Sequence, residues 1–131
     1  MGRPDFEDLE IYRLAESLAN EVWDMVSLWD QFAKDTVGKQ IVRSADSVCA
    51  NIAEGRGRGS LKDNQRFIRI ARGSLYETTS WLRLAYRRKL PIPNPHYGTN
   101  CNRLSQSICL LPSSLLANVL CRRIRRESLH H

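Results

Sequence analysis

Six basic side chains within one stretch of the 131-residue chain carry its clearest chemical signal: Lys62, Arg66, Arg69, Arg72, Arg83 and Arg87. On a helix advancing 100° per residue they fall inside an arc of about 120°. Ammonium and guanidinium groups gathered on one face offer what phosphate oxygens bind, positive charge with N–H donors attached. No Asp or Glu stands between Arg66 and Glu77 to form i,i+4 pairs with these cations. Such a face calls for a partner, either nucleic-acid phosphates or an acidic protein, the bland alternative being a solvated or subunit-contact face. Tyr76 shares the arc, where its ring could stack on a base or a sugar.

A second group lies just upstream, in Glu54-Gly55-Arg56-Gly57-Arg58-Gly59-Ser60. The segment lacks both the spacing of a phosphate-cradling G-x-x-x-x-G-K-[ST] loop and a preceding strand, so nucleotide binding of that kind is not expected. Arg56 and Arg58, beside the free N–H groups of a following helix, remain a candidate landing point for a nucleic-acid phosphate. Asn51, Glu54 and Glu77 are assigned structural work, with Glu54 or Glu77 pairing an arginine or capping a loop amide to tie the second helix to the third. Acid/base catalysis needs two carboxylates converging on a pocket, and metal-assisted phosphodiester chemistry needs clustered ones; the spacing supplies neither. Cys49, Cys101, Cys109 and Cys121 form no C-x-x-C pair and no cluster with His96, so they are expected as free thiols, with no metal and no cofactor. His96 is expected at the surface. No catalytic residue is assigned, and an enzyme is the least supported class.

The elements that must position the basic face are helical throughout, because apolar residues recur at three- and four-residue steps and no run alternates as a strand would. Ile11, Ala15, Leu18, Val22, Met25 and Trp29 predict a first helix over about 6–29, with Asp5 and Asp8 as cap and acidic third residue. Val37, Ile41, Ala45, Val48 and Ile52 predict a second over about 36–54, stopped at Glu54 by the alternating glycines, with Gly55 expected in a left-handed conformation. Ser60 and Asp63 open a third over about 61–89. Its dry side is predicted to hold Phe67, Ala71, Ser74, Thr78, Trp81, Leu82 and Ala85. Leu90-Pro91-Ile92-Pro93 breaks the helix, and Asn94-Pro95 opens a fourth over about 95–126, kinked or split at Pro112. These make a single all-α domain spanning 1–131, an up-down-up-down four-helix bundle.

Charge is segregated along the chain: residues 1–55 carry a balance of −6, residues 56–90 of +8 and residues 91–131 of +4, for a net +6. A segregated basic surface is the footprint of a nucleic-acid binder, though an acidic protein would meet it equally well. No apolar stretch is long enough to cross a bilayer, and acids interrupt the first thirty residues where a signal peptide would be apolar, so no membrane association and a cytoplasmic location are expected. Trp23, Trp29 and Trp81 together exceed what one copy of such a small bundle can cover, which predicts self-association.

Three stretches, in order, also match a known pattern: Phe6-Glu7-Asp8-Leu9-Glu10-Ile11-Tyr12, residues 41–60 and residues 66–84. The N-I-A-E-G-x-G-R-x-S block is present as Asn51, Ile52, Ala53, Glu54, Gly55, Gly57, Arg58 and Ser60, and the later G-S-L-x-E block as Gly73, Ser74, Leu75 and Glu77. The chain thereby resembles the four-helix-bundle family of 23S ribosomal RNA intervening-sequence proteins. More distantly it is similar to the accessory protein of diversity-generating retroelements, a basic ring associated with nucleic acid and a reverse transcriptase. The resemblance implies a four-helix bundle assembled into a ring, a pentamer, without catalytic activity and with a reverse transcriptase as a possible protein partner. Cys49 stands where the family has a proline, Asp46 and Ser47 also depart from its pattern, and the last helix is rich in Cys, Ser and Asn where the family's is rich in Glu and Leu.

Overall fold

The computed structural model describes residues 5–92 and Arg126, and every regular element within them is helical. A 3-10 turn, Phe6–Asp8, leads into α1 (Glu10–Ser27). The rod α2 is continuous: a first turn Gln31–Ala33, a π-helical segment Lys34–Gly38 and a long α-helical part Lys39–Gly57. α3 runs Leu61–Arg87. The predicted fourth helix and its Pro112 kink lie outside the described residues, Arg126 apart, which is helical and exposed.

α2 is the axis of the described structure. It packs along α1 on one side and α3 on the other, whereas α1 and α3 scarcely meet. The predicted stripes form the core: Ile11, Ala15, Leu18, Val22, Met25 and Trp29 are buried, as are Val37, Ile41, Ala45, Val48 and Ile52. Burying each of the larger side chains is worth roughly 1.5–3 kcal/mol, the main drive for the packing. On α3 the buried set is Phe67, Ile68, Ala71, Leu75, Thr78, Leu82 and Ala85, while Ser74 and Trp81 are only half-buried. The dry face is therefore turned by roughly 30° from the predicted one, toward Ile68 and Leu75.

Three boundaries differ from expectation. Asp5 Oδ1 accepts from Phe6 N at 2.9 Å and so caps only the 3-10 turn; Leu9 is extended and packs against the core, which delays α1 to Glu10. α2 begins earlier than predicted because Asp30 Oδ1 accepts from Ala33 N at 3.0 Å and caps its first turn. It also ends later. Gly55 and Gly57 continue the helix to Gly57, and the left-handed residue is Gly59, with φ of 76°. Glycine's helix penalty of about 1 kcal/mol per residue yields here to packing, because Gly55 is buried where α3 crosses closest.

The π segment follows from the sequence too. Within the rod, Ala33, Val37, Ile41 and Ala45 are buried at successive steps of four, and each such step overshoots an α-helical turn by about 40°. One wider turn, in which Lys39 N donates to the Lys34 carbonyl, takes back much of that drift and keeps all four facing the core. Gly38 lies in this turn, where a β-carbon would meet Val26 Cγ1 at 2.8 Å, so α1 and α2 also approach closely there.

Trp29, counted with Trp23 and Trp81 as more than one copy could cover, is 3% exposed, and its indole N–H donates to the Pro91 carbonyl at 2.7 Å. The chain after α3 thus folds back on the α1–α2 turn, with Ile92 buried. Of the three tryptophans only Trp23 is largely exposed, at 63%.

Candidate nucleic-acid interface

α3 is fixed at both ends by its own sequence. Ser60 Oγ accepts from Asp63 N at 3.1 Å and donates to Asp63 Oδ2 at 2.9 Å, the predicted start. At the other end Leu90 N donates to the Ala85 carbonyl at 3.0 Å and Lys89 N to the Tyr86 carbonyl at 2.9 Å, a Schellman turn with Lys89 left-handed at φ of 59°. With one face buried on α2, the opposite face of this 27-residue helix is presented outward.

Lys62, Arg66, Arg69, Arg83 and Arg87 are exposed and Arg72 is half-buried. Among the described residues no carboxylate lies within 4.0 Å of any of the six; the ion pairs are Arg13 with Asp8, Lys39 with Asp35 and Arg58 with Glu54. The face divides in two. One patch holds Lys62, Arg66, Arg69 and Arg72; the other holds Arg83 and Arg87, extended by exposed Arg88 and Lys89. Arg72 and Arg83 are eleven residues apart, about 16 Å along the axis. Arg88 and Lys89 fall outside the helical projection because they sit in the terminal turn, though the charge run itself marks them.

The upstream arginines behave differently. Arg58 Nη2 donates to Glu54 Oε1 at 2.7 Å, a bond that holds the guanidinium pKa above its ordinary value. Its Cζ also lies 5.3 Å from the Phe67 ring centroid, and that of Arg66 lies 5.1 Å from the same ring. Phe67 thereby gathers Arg58 to the basic patch through cation–π attraction. Arg56 is half-buried. At the start of α3 the Asp63 N–H is taken by Ser60 Oγ, and the Asp63 carboxylate beside it accepts from that hydroxyl.

The carboxylates do not tie α2 to α3. Glu54 is exposed and pairs within its own helix, and exposed Glu77 accepts from Trp81 Nε1 at 3.3 Å. Asn51 Nδ2 donates to the Ser47 carbonyl at 2.7 Å, again within α2. A polar tie between the helices is a buried pair that no sequence motif announces: Thr78 Oγ1 donates to Ser44 Oγ at 2.9 Å. Cys49 donates to the Asp46 carbonyl at 3.2 Å; burial first, then the nearby Asp46 charge, pushes its thiol pKa up, so it stays protonated and unreactive near neutral pH. Among the described residues no group of three His, Cys, Asp or Glu side chains could hold a metal ion, and no helix is long and apolar enough to cross a membrane.

No curated protein matches the chain. A family model does, over residues 7–108, a span that takes in the Asn51–Ser60 block, the Gly73–Glu77 block and the whole basic face of α3. The chain belongs to the 23S rRNA-intervening sequence protein family.

Proposed function

We propose that this chain is a non-enzymatic, oligomeric helical-bundle protein that holds the backbone of RNA or DNA through the outward face of α3. The observation that carries the reading is a row of six cations, Lys62, Arg66, Arg69, Arg72, Arg83 and Arg87, with no carboxylate partner among the described residues. Two acids on the same helix, Asp63 and Glu77, are engaged with Ser60 and Trp81. The family's name ties its members to 23S rRNA, which agrees with a nucleic-acid target.

The working form is a ring, a pentamer, of four-helix bundles whose fourth helix is formed by 95–126. One helix making three or four phosphate contacts binds weakly at physiological salt. Several copies in one particle add avidity without sequence preference. Exposed Trp23 belongs to the surface between copies.

Size-exclusion chromatography with light scattering, on the chain alone and with a mixed pool of RNA and DNA fragments, tests both parts. The expected result is a multimer that co-elutes with nucleic acid. A particle of 15.1 kDa, the mass of one chain, at micromolar concentration would end the ring and avidity argument. A multimer that ignores nucleic acid but retains an acidic protein would transfer the basic face to an adaptor role.

A further inference from the structure

Gly73 lies within the basic arc of α3, and a β-carbon there would have nothing within 4 Å. Glycine inside a helix costs stability relative to alanine. At Gly38 and Gly55 close packing explains that cost; at Gly57, the last residue of α2, and at Gly73, in the middle of α3, no described neighbour does. The surface neighbours one turn away are Arg69 and Ile70 before it and Tyr76 and Glu77 after it. Tyr76 is 54% exposed and Ile70 43% exposed, and the Glu77 carboxylate accepts from Trp81. The cations stop where this notch begins: from Gly73 to Leu82 the helix carries no basic residue.

We infer that Gly73 and Tyr76 form a seat for one unpaired nucleotide of a single-stranded nucleic acid. The strand crosses α3 at Gly73, where the bare backbone permits close approach. Arg69 and Arg72 take the phosphate before the crossing, and the base stacks on the Tyr76 ring. A duplex keeps its bases stacked inside and would gain nothing from an exposed ring between two cationic patches. The inference rests on the nucleic-acid reading above and adds the class of strand.

Fluorescence anisotropy with a labelled twenty-nucleotide oligouridylate and a twenty-base-pair RNA duplex, at one salt concentration, separates the two claims. Tyr76→Ala is expected to weaken binding of the single strand on the order of tenfold and that of the duplex by less than about twofold, while Tyr76→Phe binds as the parent does. Gly73→Ala is expected to raise the melting temperature yet weaken the single strand several-fold. Equal losses on both probes, or none on either, with the parent still binding, overturn the seat and leave the backbone interface standing. A change in particle mass on Gly73→Ala, with both affinities per subunit kept, overturns it in favour of a contact between copies. If the parent binds neither probe, the interface itself fails and the seat with it.

Discussion

A β-carbon placed on Gly55 would stand 2.7 Å from Cβ of Phe67. Asn64 closes the same space, with its Oδ1 at 3.1 Å and its carbonyl at 3.3 Å, so α2 and α3 meet at the root of a side chain and neither can yield by rotating a flexible tip. The residue that docks here, Phe67, is the one that gathers Arg58 and Arg66. Close packing on one side of α3 and charge presentation on the other are thus set at one point.

Gly55→Ala is expected to destabilise the fold by roughly 1–3 kcal/mol through overpacking, even though alanine is the better helix former. Gly57→Ala, where a β-carbon has open space, is expected to be neutral or stabilising. Urea denaturation of the two variants checks the contrast, and equal stability would show that the helices do not meet at Gly55.

The buried Ser44 and Thr78 hydroxyls share two protons over three short contacts, since Ser44 Oγ also reaches the Ile41 carbonyl at 3.1 Å and Thr78 Oγ1 the Ser74 carbonyl at 2.8 Å. Each of Ser44→Ala and Thr78→Val is expected to cost about 0.5–1.5 kcal/mol. A double-mutant cycle should return a coupling of at least about 0.5 kcal/mol; strict additivity would mean that the hydroxyls do not pair.

Lys89 occupies the left-handed position of the turn after α3, where a β-carbon costs about 1 kcal/mol. Lys89→Gly is therefore expected to raise stability by up to that amount, read as a higher melting temperature. A lower one would place the turn in another conformation.

Trp29→Phe keeps most of the buried ring but removes the N–H that reaches Pro91. A loss of about 1–2 kcal/mol is expected from the unpaired carbonyl, with faster hydrogen exchange at Leu90 and Ile92 than in the parent. Unchanged exchange would dissociate the tail from the α1–α2 turn.

The helices and their faces are legible in the sequence because burial follows angular position: the three- and four-residue steps of α1 and α2 name the residues that are buried there. What the sequence conceals depends on distant partners. Trp29 reads as surplus because its acceptor, Pro91, is 62 residues away. The glycines read as a stop because their helix penalty is local, whereas the gain at Gly55 comes from Phe67 on another helix. A stop at Glu54 also hides an ion pair. Glu54 and Arg58 stand four apart, and the i,i+4 rule pairs them only if the helix runs through Gly55 and Gly57, as it does. The outward cations of α3 need no partner to be placed, so the candidate face is readable from spacing alone. Its division between Arg72 and Arg83 is readable there too, whereas the exposure of Tyr76 and Ile70 emerges only from the structure.

The measurement that bears most directly on the interface is the salt dependence of nucleic-acid binding by the parent and by the Arg66→Ala, Arg69→Ala, Arg72→Ala triple variant, with Arg122, Arg123 and Arg125 changed to Ala as a charge-matched control. Removing one phosphate-binding arginine should reduce the slope of log K against log salt by about 0.7–0.9. The account predicts a slope flatter by roughly two to three for the α3 triple, weaker binding to unrelated sequences alike, and a smaller effect of the control. Equal effects of the two triples would reduce the interface to diffuse charge attraction, and an unchanged slope for the α3 triple, with the particle mass intact, would contradict it outright.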